Sequence, residues 1–548
     1  MMGECMMNGP MSAPIKSVEE MAGYFQAELL RLLPAWKEKF KAQPDSLPAL
    51  EHEVHQAFGR GADFVILGLL AMIMAVPEFE KTCEVSRRSY DARLTKGRMR
   101  TIQIQLLGGL IVWVKTLYCP PKQGWFRSTQ QSEVPGIYVA LAHMGFGKGC
   151  SPAFEEKVAR RAATTHSLAM TQCELEREGI KIDFKTVRRI AYQSGEKLLT
   201  LRKRELLAWR AGKLVATNEM AGKRISVQID GGRMKIRQAM VEGPYEGFKI
   251  RQTQPIGRDA DKAIQANAEL SEDGGRAEKR RKKTFQSDWR EPKLVTIFVH
   301  DKDGRMEKKS QAWIDGTLTG PDAICELVAM HLYRLGASSA KSVTFVSDGA
   351  PWIWDRIDQI IGQAGIPKSV EIFKILDVCH AVHHVSLAVG ALGYDELTRK
   401  GLYRGYRKQL RDGEWSQVVA DLRQRLEQAT NKPNQEIMER ELSYLTRHGE
   451  AGQMSYPAFK IGGLPIGSGA IESSIRRVIN LRLKSNAMFW KAENAESMLQ
   501  LRCQIISGRW DERLQSMRQT MLRNASTDWT WTPVNMRSEI ENESTMPV

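Results

Sequence analysis

The sequence predicts a mixed α/β protein in which strands and helices alternate through the middle of the chain. Apolar and polar residues alternate in "RISVQIDGG" from Arg224, and further strand-like runs occupy 293–304, 342–350 and 370–380. Helical stretches separate the last three runs. Strands that alternate with helices favour a partly parallel sheet covered by helices. An α/β unit is therefore expected within 216–380.

The N-terminal part of the chain is predicted to be mainly helical. Apolar residues repeat at helical spacing through 17–117, and Ile104, Leu106 and Ile111 extend this pattern. A segment rich in Pro and Gly follows and is typical of an irregular connector. We therefore expect residues 1–149 to form a helical domain with its connector.

Residues 150–215 follow the outline of a helix-turn-helix domain. Ser151 can cap one helix, Gly179 can end the next, and Asp183 can cap a third. The cations near the start of this third helix are Lys185, Arg188 and Arg189. A recognition helix presents such cations to DNA, but a three-helix bundle with an ordinary solvated face explains the same segment equally well.

Helical spacing returns after His380, where the strand pattern stops. It predicts an all-helical insertion over 381–461, followed by the final part of the α/β unit over 462–510. We expect one long helix from about Ala470 to Gly508, and a C-terminal tail over 511–548.

Charge and cysteine content favour a polyanionic partner in a reducing compartment. The 548 residues include 80 Lys+Arg and 64 Asp+Glu, a formal net charge of +16, and such an excess attracts nucleic acid. The eight cysteines form no CxxC pair, which is typical of free cytoplasmic thiols. The apolar run Phe64–Val76 is shorter than the roughly 20 residues that cross a bilayer. It predicts a buried helix and no membrane partner.

Three carboxylates lie where α/β folds gather ligands. Asp230 and Asp348 come at the ends of predicted strands, and Glu472 opens a predicted helix after a glycine-rich bend. Singly, each has an ordinary explanation: Asp-Gly is a turn dipeptide, and an acid favours the start of a helix. Together, such oxygen ligands can hold two Mg²⁺ ions about 3.5–4 Å apart for phosphoryl transfer.

The helix predicted after Glu472 has a basic face and an apolar face. Arg476, Asn480 and Lys484 recur every four residues, and the apolar positions are Ile471, Ile475 and Val478. The predicted phosphate contacts are Arg476, Arg477 and Lys484. An ordinary solvated face remains an alternative for any one of these cations.

The segment "LDVCHAVHHV" combines several potential metal ligands, namely Asp377, Cys379, His380, His383 and His384. Their spacing permits zinc or another transition metal. Packed structural histidines are the alternative explanation.

Five segments, in this order, resemble one protein family: "VQIDGG", "FVSDGAPWIW", "DVCHAVHH", "GLPIGSGAIESSIRRVINLRLKSNAMFW" and "AESMLQLRCQIISGRWD". They resemble the DDE transposases of prokaryotic insertion sequences, specifically the ISKra group, which is related to the Mutator-like transposases. The resemblance covers about Cys150–Asp511, and the segment with Glu472 is its most specific part.

The resemblance implies an RNase H-like catalytic core with an all-helical insertion, plus helical N-terminal and helix-turn-helix domains. It implies Asp230, Asp348 and Glu472 as the catalytic triad, holding two Mg²⁺ or Mn²⁺ ions. Asp377 and His380 would form the C/D-x-x-H signature beside it. The gaps of 348 − 230 = 118 and 472 − 348 = 124 residues suit such a core.

The resemblance also implies a function. The protein is expected to bind the ends of its own insertion sequence, cleave DNA and join the freed 3′-OH to target DNA. Double-stranded DNA, both element ends and target, would be its partner, and a homodimer or higher oligomer would assemble on it in the bacterial cytoplasm, associated with the nucleoid. A nuclease or resolvase that cuts without joining is one alternative, and a non-catalytic, transposase-derived DNA-binding protein is another.

Overall fold

A computed structural model describes residues 2–8, 12–89, 94–120, 136–147, 149–239, 285–428, 432–485 and 488–523. Part of the predicted connector and the predicted tail after residue 523 lie outside these ranges.

The N-terminal unit combines helices with a small antiparallel sheet. Its elements are β1 (Gly3–Met6), α1 (Val18–Ala42), a 3-10 turn (Pro44–Ser46), α2 (Leu47–Ala75), α3 (Pro77–Ser89), β2 (Arg98–Gln105), β3 (Ile111–Cys119), β4 (Ile137–Tyr138) and α4 (Val139–His143). The prediction of helix through Ile104 and Ile111 is wrong, because both lie in the antiparallel pair of β2 and β3. β-branched residues, which favour strands, recur in both, and Gly109, at φ +93°, lies in the turn between them.

The segment predicted as a helix-turn-helix does form three helices, α5 (Pro152–Thr164), α6 (Leu168–Arg177) and α7 (Phe184–Arg210). Ser151 and Asp183 cap α5 and α7 as predicted. These helices do not form a separate domain, however. Their apolar residues, including Phe154 and Leu198, belong to one core with Ile471 of the C-terminal part. The predicted domain 150–215 is therefore wrong as an independent unit.

A five-stranded mixed sheet lies at the centre of the chain. Its elements and their neighbours are β5 (Arg224–Gly231), β6 (Met234–Ala239), β7 (Phe285–Arg290), β8 (Lys293–Val299), β9 (Trp313–Thr317), α8 (Pro321–Arg334), a 3-10 turn (Ala337–Ser339), β10 (Ser342–Ser347), α9 (Pro351–Trp354), α10 (Ile357–Gln363) and β11 (Glu371–Leu376). The strand order is β11-β10-β5-β8-β9, and β6 pairs with β7 apart from it. β10 is parallel to both β5 and β11, whereas β8 is antiparallel to β5 and β9. The predicted partly parallel sheet is confirmed.

Helices cover both faces of this sheet, so that its strands are buried. On one face α5 and α7 share a core with Leu294 and Ile314. On the other face α8 and α10 pack against Ile225 and Phe345 through residues such as Val328. The protein is thus a layered mixed α/β structure around the sheet.

In its described residues, the segment between the sheet and the final core elements consists of helices joined by short turns. It contains α11 (Val378–Ala391), α12 (Glu396–Arg411), α13 (Trp415–Glu427), α14 (Lys432–Glu450) and α15 (Tyr456–Ile461). The insertion is not isolated, because Val382 and Leu442 share a core with Val346 and Ile375 of the sheet.

The single long helix predicted from Ala470 to Gly508 is wrong. The chain forms α16 (Gly469–Ile475), one turn of π-helix (Arg476–Asn480), α17 (Ala492–Ile506) and α18 (Trp510–Arg523). The segment between the π-helix and α17 is held by Trp490, whose Nε1 donates to the Leu483 carbonyl over 3.1 Å. The predicted tail is also wrong up to Arg523, because Trp510 and Arg513 of α18 are buried.

Pro44–Ala75 is long and apolar enough, by length and composition, to cross a membrane, and half of its most apolar window is buried. A core helix passes the same test, so this is weak evidence for a membrane partner. The buried helix predicted at Phe64–Val76 is confirmed for one face, with Leu67 buried and Ile66 exposed.

Glu196 on α7 gives the fold a dependence on pH. Burial, and then the Glu493 carboxylate, raise the pKa of Glu196 to about 7. Below its ordinary pKa of about 4.3, the group is protonated in both folded and unfolded chains. Between that value and pH 7 the unfolded chain ionises first, so this group lowers stability progressively as the pH rises.

We expect Glu196→Gln to raise the unfolding midpoint, with a gain that grows from pH 5 to pH 8. Because the side chain is partly exposed, the gain at pH 8 should be on the order of 1–3 kcal/mol. Thermal melts at both pH values, with exposed Glu450→Gln as the matched control, measure it. An equal gain at both pH values would contradict the assignment.

Candidate functional site

Three aspartates lie at the C-terminal ends of adjacent parallel strands, at one edge of the sheet, and we call them the acid row: Asp230, Asp348 and Asp377. In the strand register Val346 pairs with Gln228, and Ser347 pairs with Leu376. Continuing this register sets the three aspartates side by side. Two hydrogen bonds hold these strand ends together: Ser347 Oγ donates to the Ile229 carbonyl, and the Asp377 amide donates to the Ser347 carbonyl.

Asp230 lies within β5, so the interpretation of its Asp-Gly pair as a turn is wrong. Its Oδ1 accepts a hydrogen bond from the Gly231 amide over 2.6 Å. Burial, and to a smaller extent the Asp348 carboxylate, raise the pKa of Asp230 to about 6, while the Gly231 amide and the His380 ring oppose the rise. The two carboxylates are thus close enough to repel one another.

Asp348 is held by its own turn and by the helical insertion. Its Oδ1 accepts from the Ala350 amide over 3.0 Å. The Tyr444 hydroxyl on α14 donates to the Asp348 carbonyl over 2.7 Å. Gly349 follows at φ +80°, and a side chain there would collide with Tyr444 and His448. The insertion therefore fixes the backbone that carries this aspartate.

Asp377 is fully buried and caps α11, since its Oδ1 accepts from the Cys379 amide over 2.8 Å. Its Oδ2 binds His380 Nδ1 at 2.9 Å and also accepts from Ser468 Oγ. Burial opposes ionisation, but these hydrogen bonds outweigh it and lower the pKa of Asp377. The hydrogen bond to Asp377 is also the main cause that raises the pKa of His380. Because Asp377 occupies Nδ1, His380 has Nε2 left to offer a ligand.

Glu472 lies in the first turn of α16 as predicted, and its side chain is exposed. Among the described residues, Asp377, His380 and Glu472 form a group whose potential ligand atoms all lie within 4.8 Å of one another. Asp230 and Asp348 are not members of this group. The predicted triad is therefore divided, because Glu472 lies with Asp377 and His380. The carboxylates of Asp348 and Asp230 also raise the pKa of His380, so its ring lies between the two parts.

The donor set fits a hard divalent cation. Asp230, Asp348 and Glu472 offer carboxylate oxygens, the ligands that Mg²⁺ and Mn²⁺ prefer. Burial, and to a smaller extent the Asp348 carboxylate, raise the pKa of Asp230, and a cation bound beside these acids would favour their ionised forms. The described ligand atoms that lie together are those of Asp377, His380 and Glu472, and the adjacent strands bring Asp230 and Asp348 to the same edge of the sheet.

The zinc site considered over 377–384 is not assembled as such. Of its five candidates, Asp377 and His380 come together, but with Glu472. His384 instead packs on the Tyr444 ring with centroids 3.6 Å apart and hydrogen-bonds Glu441. Cys379 and His383 have exposed side chains and lie outside the group. All eight cysteines are unpaired, as predicted.

Gln228 is a site residue that the sequence analysis missed. It lies two residues before Asp230 on β5 and is 1% exposed. Its Nε2 donates to the Gly467 carbonyl over 3.1 Å, and its Oε1 accepts from the Ile471 amide over 3.0 Å. One amide side chain thus fastens the start of the Glu472 helix to the strand of Asp230. A polar residue at an otherwise apolar strand position was the signal available.

We expect Gln228→Ala to accelerate hydrogen exchange at the Ile471 amide and to lower Mg²⁺ affinity roughly 10- to 100-fold, the usual cost of losing a residue that orients metal ligands. The cause is loss of both hydrogen bonds that position Glu472. Buried Gln504→Ala on α17 is the control. If the folded variant kept the wild-type hydrogen exchange at the Ile471 amide and the wild-type Mg²⁺ affinity, Gln228 would not have this role.

The predicted DNA-contacting cations lie on the surface in most cases. Lys185 and Arg188 are exposed on α7. Arg189 is partly exposed and donates to Gln193 over 3.1 Å. Beyond Glu472, the cations Arg476, Arg477 and Lys484 are exposed, and Ile471, Ile475 and Val478 are buried. The single helical face predicted for Arg476 and Lys484 is wrong, however, because the π-helix ends at Asn480 and Lys484 lies beyond it.

Comparisons of the chain with protein-family models, with curated proteins and with solved structures find no match.

Proposed function

We propose that the protein is a DDE-type DNA transposase of an insertion sequence, which binds the element ends, cleaves DNA and transfers the freed strand to target DNA. The observation that carries this proposal is the acid row, in which parallel strands deliver Asp230 and Asp348 to one edge of the sheet. The same edge receives Glu472, through the hydrogen bonds of Gln228. The resemblance implies these three acids as the triad.

An RNase H-like core is part of the same proposal. The acid-bearing strand β5 is central in a five-stranded mixed sheet, with β10 and β11 on one side and β8 and β9 on the other. A helical insertion separates this sheet from the helix of Glu472. Both features agree with the core that the resemblance implies.

The chemistry requires mainly positioning and charge neutralisation. Two Mg²⁺ or Mn²⁺ ions, when bound, would supply activation of water or the 3′-OH and stabilisation of the leaving oxygen. The chain itself holds the oxygen ligands in place: β5 orients Asp230, the Ala350 amide orients Asp348, and Gln228 positions Glu472. Asp377 fixes the ring of His380 beside them.

Duplex DNA is the partner that the surface charge favours. The formal net charge of +16 supports it, as do the exposed cations Lys185 and Arg188 and those that follow Glu472. A homodimer or higher oligomer would let one assembly hold two element ends. Eight unpaired cysteines agree with a cytoplasmic, nucleoid-associated protein.

The test is to incubate purified protein and Mg²⁺ with a plasmid that carries the genomic DNA on both sides of the gene. We expect cuts at two inverted ends and covalent joining of those ends to target DNA. Cutting without joining would instead identify a nuclease or resolvase. Binding of the ends without cutting would identify a non-catalytic DNA-binding protein.

A further inference from the structure

Helix α12 of the insertion has the charge of a polyanion-binding surface. Its sequence, "ELTRKGLYRGYRKQLR", contains one acid, Glu396, and six cations: Arg399, Lys400, Arg404, Arg407, Lys408 and Arg411. All six are exposed. At 100° per residue, five of them, from Lys400 to Arg411, fall within about a third of the helix circumference. The opposite face is fixed to the protein by the buried residues Tyr406 and Leu410.

The cations of this face are available to a ligand. Within the described part of the chain, Arg404, Arg407, Lys408 and Arg411 form no salt bridge with a carboxylate, and Lys400 pairs with the exposed Glu396 of its own helix. Such an exposed pair contributes little and gives way readily. Clustered like charges with so few counter-charges cost the folded protein energy. Stability of the fold therefore does not explain them.

Two glycines lie along the margin of the same face, one turn apart. Gly401 and Gly405 are inside the helix, where glycine is less favourable than alanine. A Cβ added at either position would meet no described atom within 4 Å. Packing within the protein thus gives no reason for glycine, whereas close approach of a ligand backbone to the helix does.

The C-terminal end of α12 lies toward the candidate site. Helix α11, which Asp377 caps, shares a core with α12 through Val382 and Leu410. Near the other end of α11, a Cβ on Gly390 would lie 3.9 Å from Arg399 Nη2 at the start of α12. The two helices are therefore antiparallel, and the C-terminal end of α12 lies beside the start of α11. With 16 residues, the helix extends about 24 Å outward from there.

We propose that the face of α12 formed by Lys400, Arg404, Arg407, Lys408 and Arg411, with Gly401 and Gly405 at its margin, binds the phosphate backbone of duplex DNA that enters the candidate site. This surface was not among the predicted DNA contacts. The inference rests on the proposed function, because it adds a second DNA-binding element to the same site. The cations along this face can pair with successive phosphates of a DNA strand. Because Gly401 and Gly405 have no side chains, the DNA backbone can approach α12 closely.

The experiment measures DNA affinity against salt concentration for the full chain without divalent metal, which separates binding from cleavage. For Arg404→Gln with Lys408→Gln we expect a loss of roughly tenfold or more in affinity at 0.1 M salt and a salt slope smaller by about two, for specific and random duplexes alike. The matched control is Arg31→Gln with Lys37→Gln, two exposed cations of α1. It should retain the wild-type slope.

The outcomes separate the two proposals. Wild-type protein that binds no duplex DNA would overturn the proposed function, and this inference with it. Normal DNA binding with an unchanged slope in the α12 variant, or an equal loss in the α1 control, would overturn this inference alone. A loss confined to single-stranded RNA would also overturn it, since the face would then recognise another nucleic acid.

A second variant tests the glycines without removing charge. Gly401→Ala with Gly405→Ala should not lower the melting temperature, because alanine favours helix and has room. It should nevertheless weaken duplex binding several-fold, because the two methyl groups hold the backbone away from the helix. Wild-type affinity in this variant would contradict the close approach proposed.

Discussion

Asp348→Asn is expected to abolish strand cleavage while DNA binding persists. The substitution removes one negative charge from the acid row with little change of shape, and asparagine can still accept the hydrogen bond that the Ala350 amide donates to Oδ1 over 3.0 Å. Since the Tyr444 hydroxyl bonds the main-chain carbonyl of residue 348, that contact also remains. The fold should be unaffected, so the loss falls on metal binding and on the chemistry it supports. We expect a rate reduction of at least about 10³-fold.

The matched control is Asp355→Asn, which removes the same charge from an exposed position seven residues away. Its cleavage rate should be that of wild type. Rates are measured by the appearance of nicked ends at saturating Mg²⁺, and affinity is measured in the absence of metal. Cleavage by pure Asp348→Asn protein at the wild-type rate would remove Asp348 from the catalytic residues, whatever the role of its neighbours.

The sequence was sufficient for the sheet wherever strands alternate with helices. β5, β8, β10 and β11 were all predicted, because each is a short apolar run bounded by turn residues. β9 was not predicted. It is only five residues long and includes Asp315-Gly316, a pair that normally indicates a turn. Its pairing with β8 and the buried partners of Asp315 outweigh that local preference.

The positions of Asp230, Asp348 and Glu472 on their elements were predicted correctly, but the grouping of Glu472 with Asp377 and His380 was not predicted. Which carboxylate contacts which depends on strand register and on the path of the loop before α16, and neither is recorded in local sequence patterns. That loop brings Ser468 to Asp377, which helps to place Glu472 beside the flanking signature. The role of Gln228 was missed for the same reason, because its partners lie about 240 residues away along the chain.

The separate helix-turn-helix domain was predicted wrongly because capping and periodicity are local signals. They identify α5, α6 and α7 correctly, but they contain no information about what a buried face packs against. Arg202 of α7 shows what was missed. It is 2% exposed, and its guanidinium contacts β9 and α17. The helix that carries Lys185 and Arg188 is thereby joined to the sheet.

Arg202→Met is expected to lower the free energy of unfolding by about 3–5 kcal/mol, the usual cost of removing one partner of a buried ion pair. This is the largest loss of stability expected among the substitutions proposed for this protein. Arg202 Nη1 lies 2.9 Å from Asp315 Oδ1, and Nη2 lies 2.9 Å from Glu496 Oε1. The Asp315 side chain is 1% exposed and also binds His331 Nε2 at 2.7 Å. Burial opposes the ionisation of Asp315, but Arg202 and then His331 outweigh it and hold its pKa well below the ordinary range. Methionine fills a similar volume but leaves this charge without its main partner.

Arg210→Met, on the same helix, is the matched control. Arg210 pairs with Glu326 over 2.6 Å, but both side chains are partly exposed, at 31% and 23%, so its loss should cost less than about 1 kcal/mol. Urea unfolding followed by circular dichroism measures both variants, and DNA affinity is measured below the transition. If α7 depends on Arg202 for its position, Arg202→Met should also weaken DNA binding before global unfolding, because Lys185 and Arg188 lose their fixed orientation to the acid row. Equal stability of the two variants would show that the buried network is dispensable and that the shared apolar core alone joins α7 to the sheet.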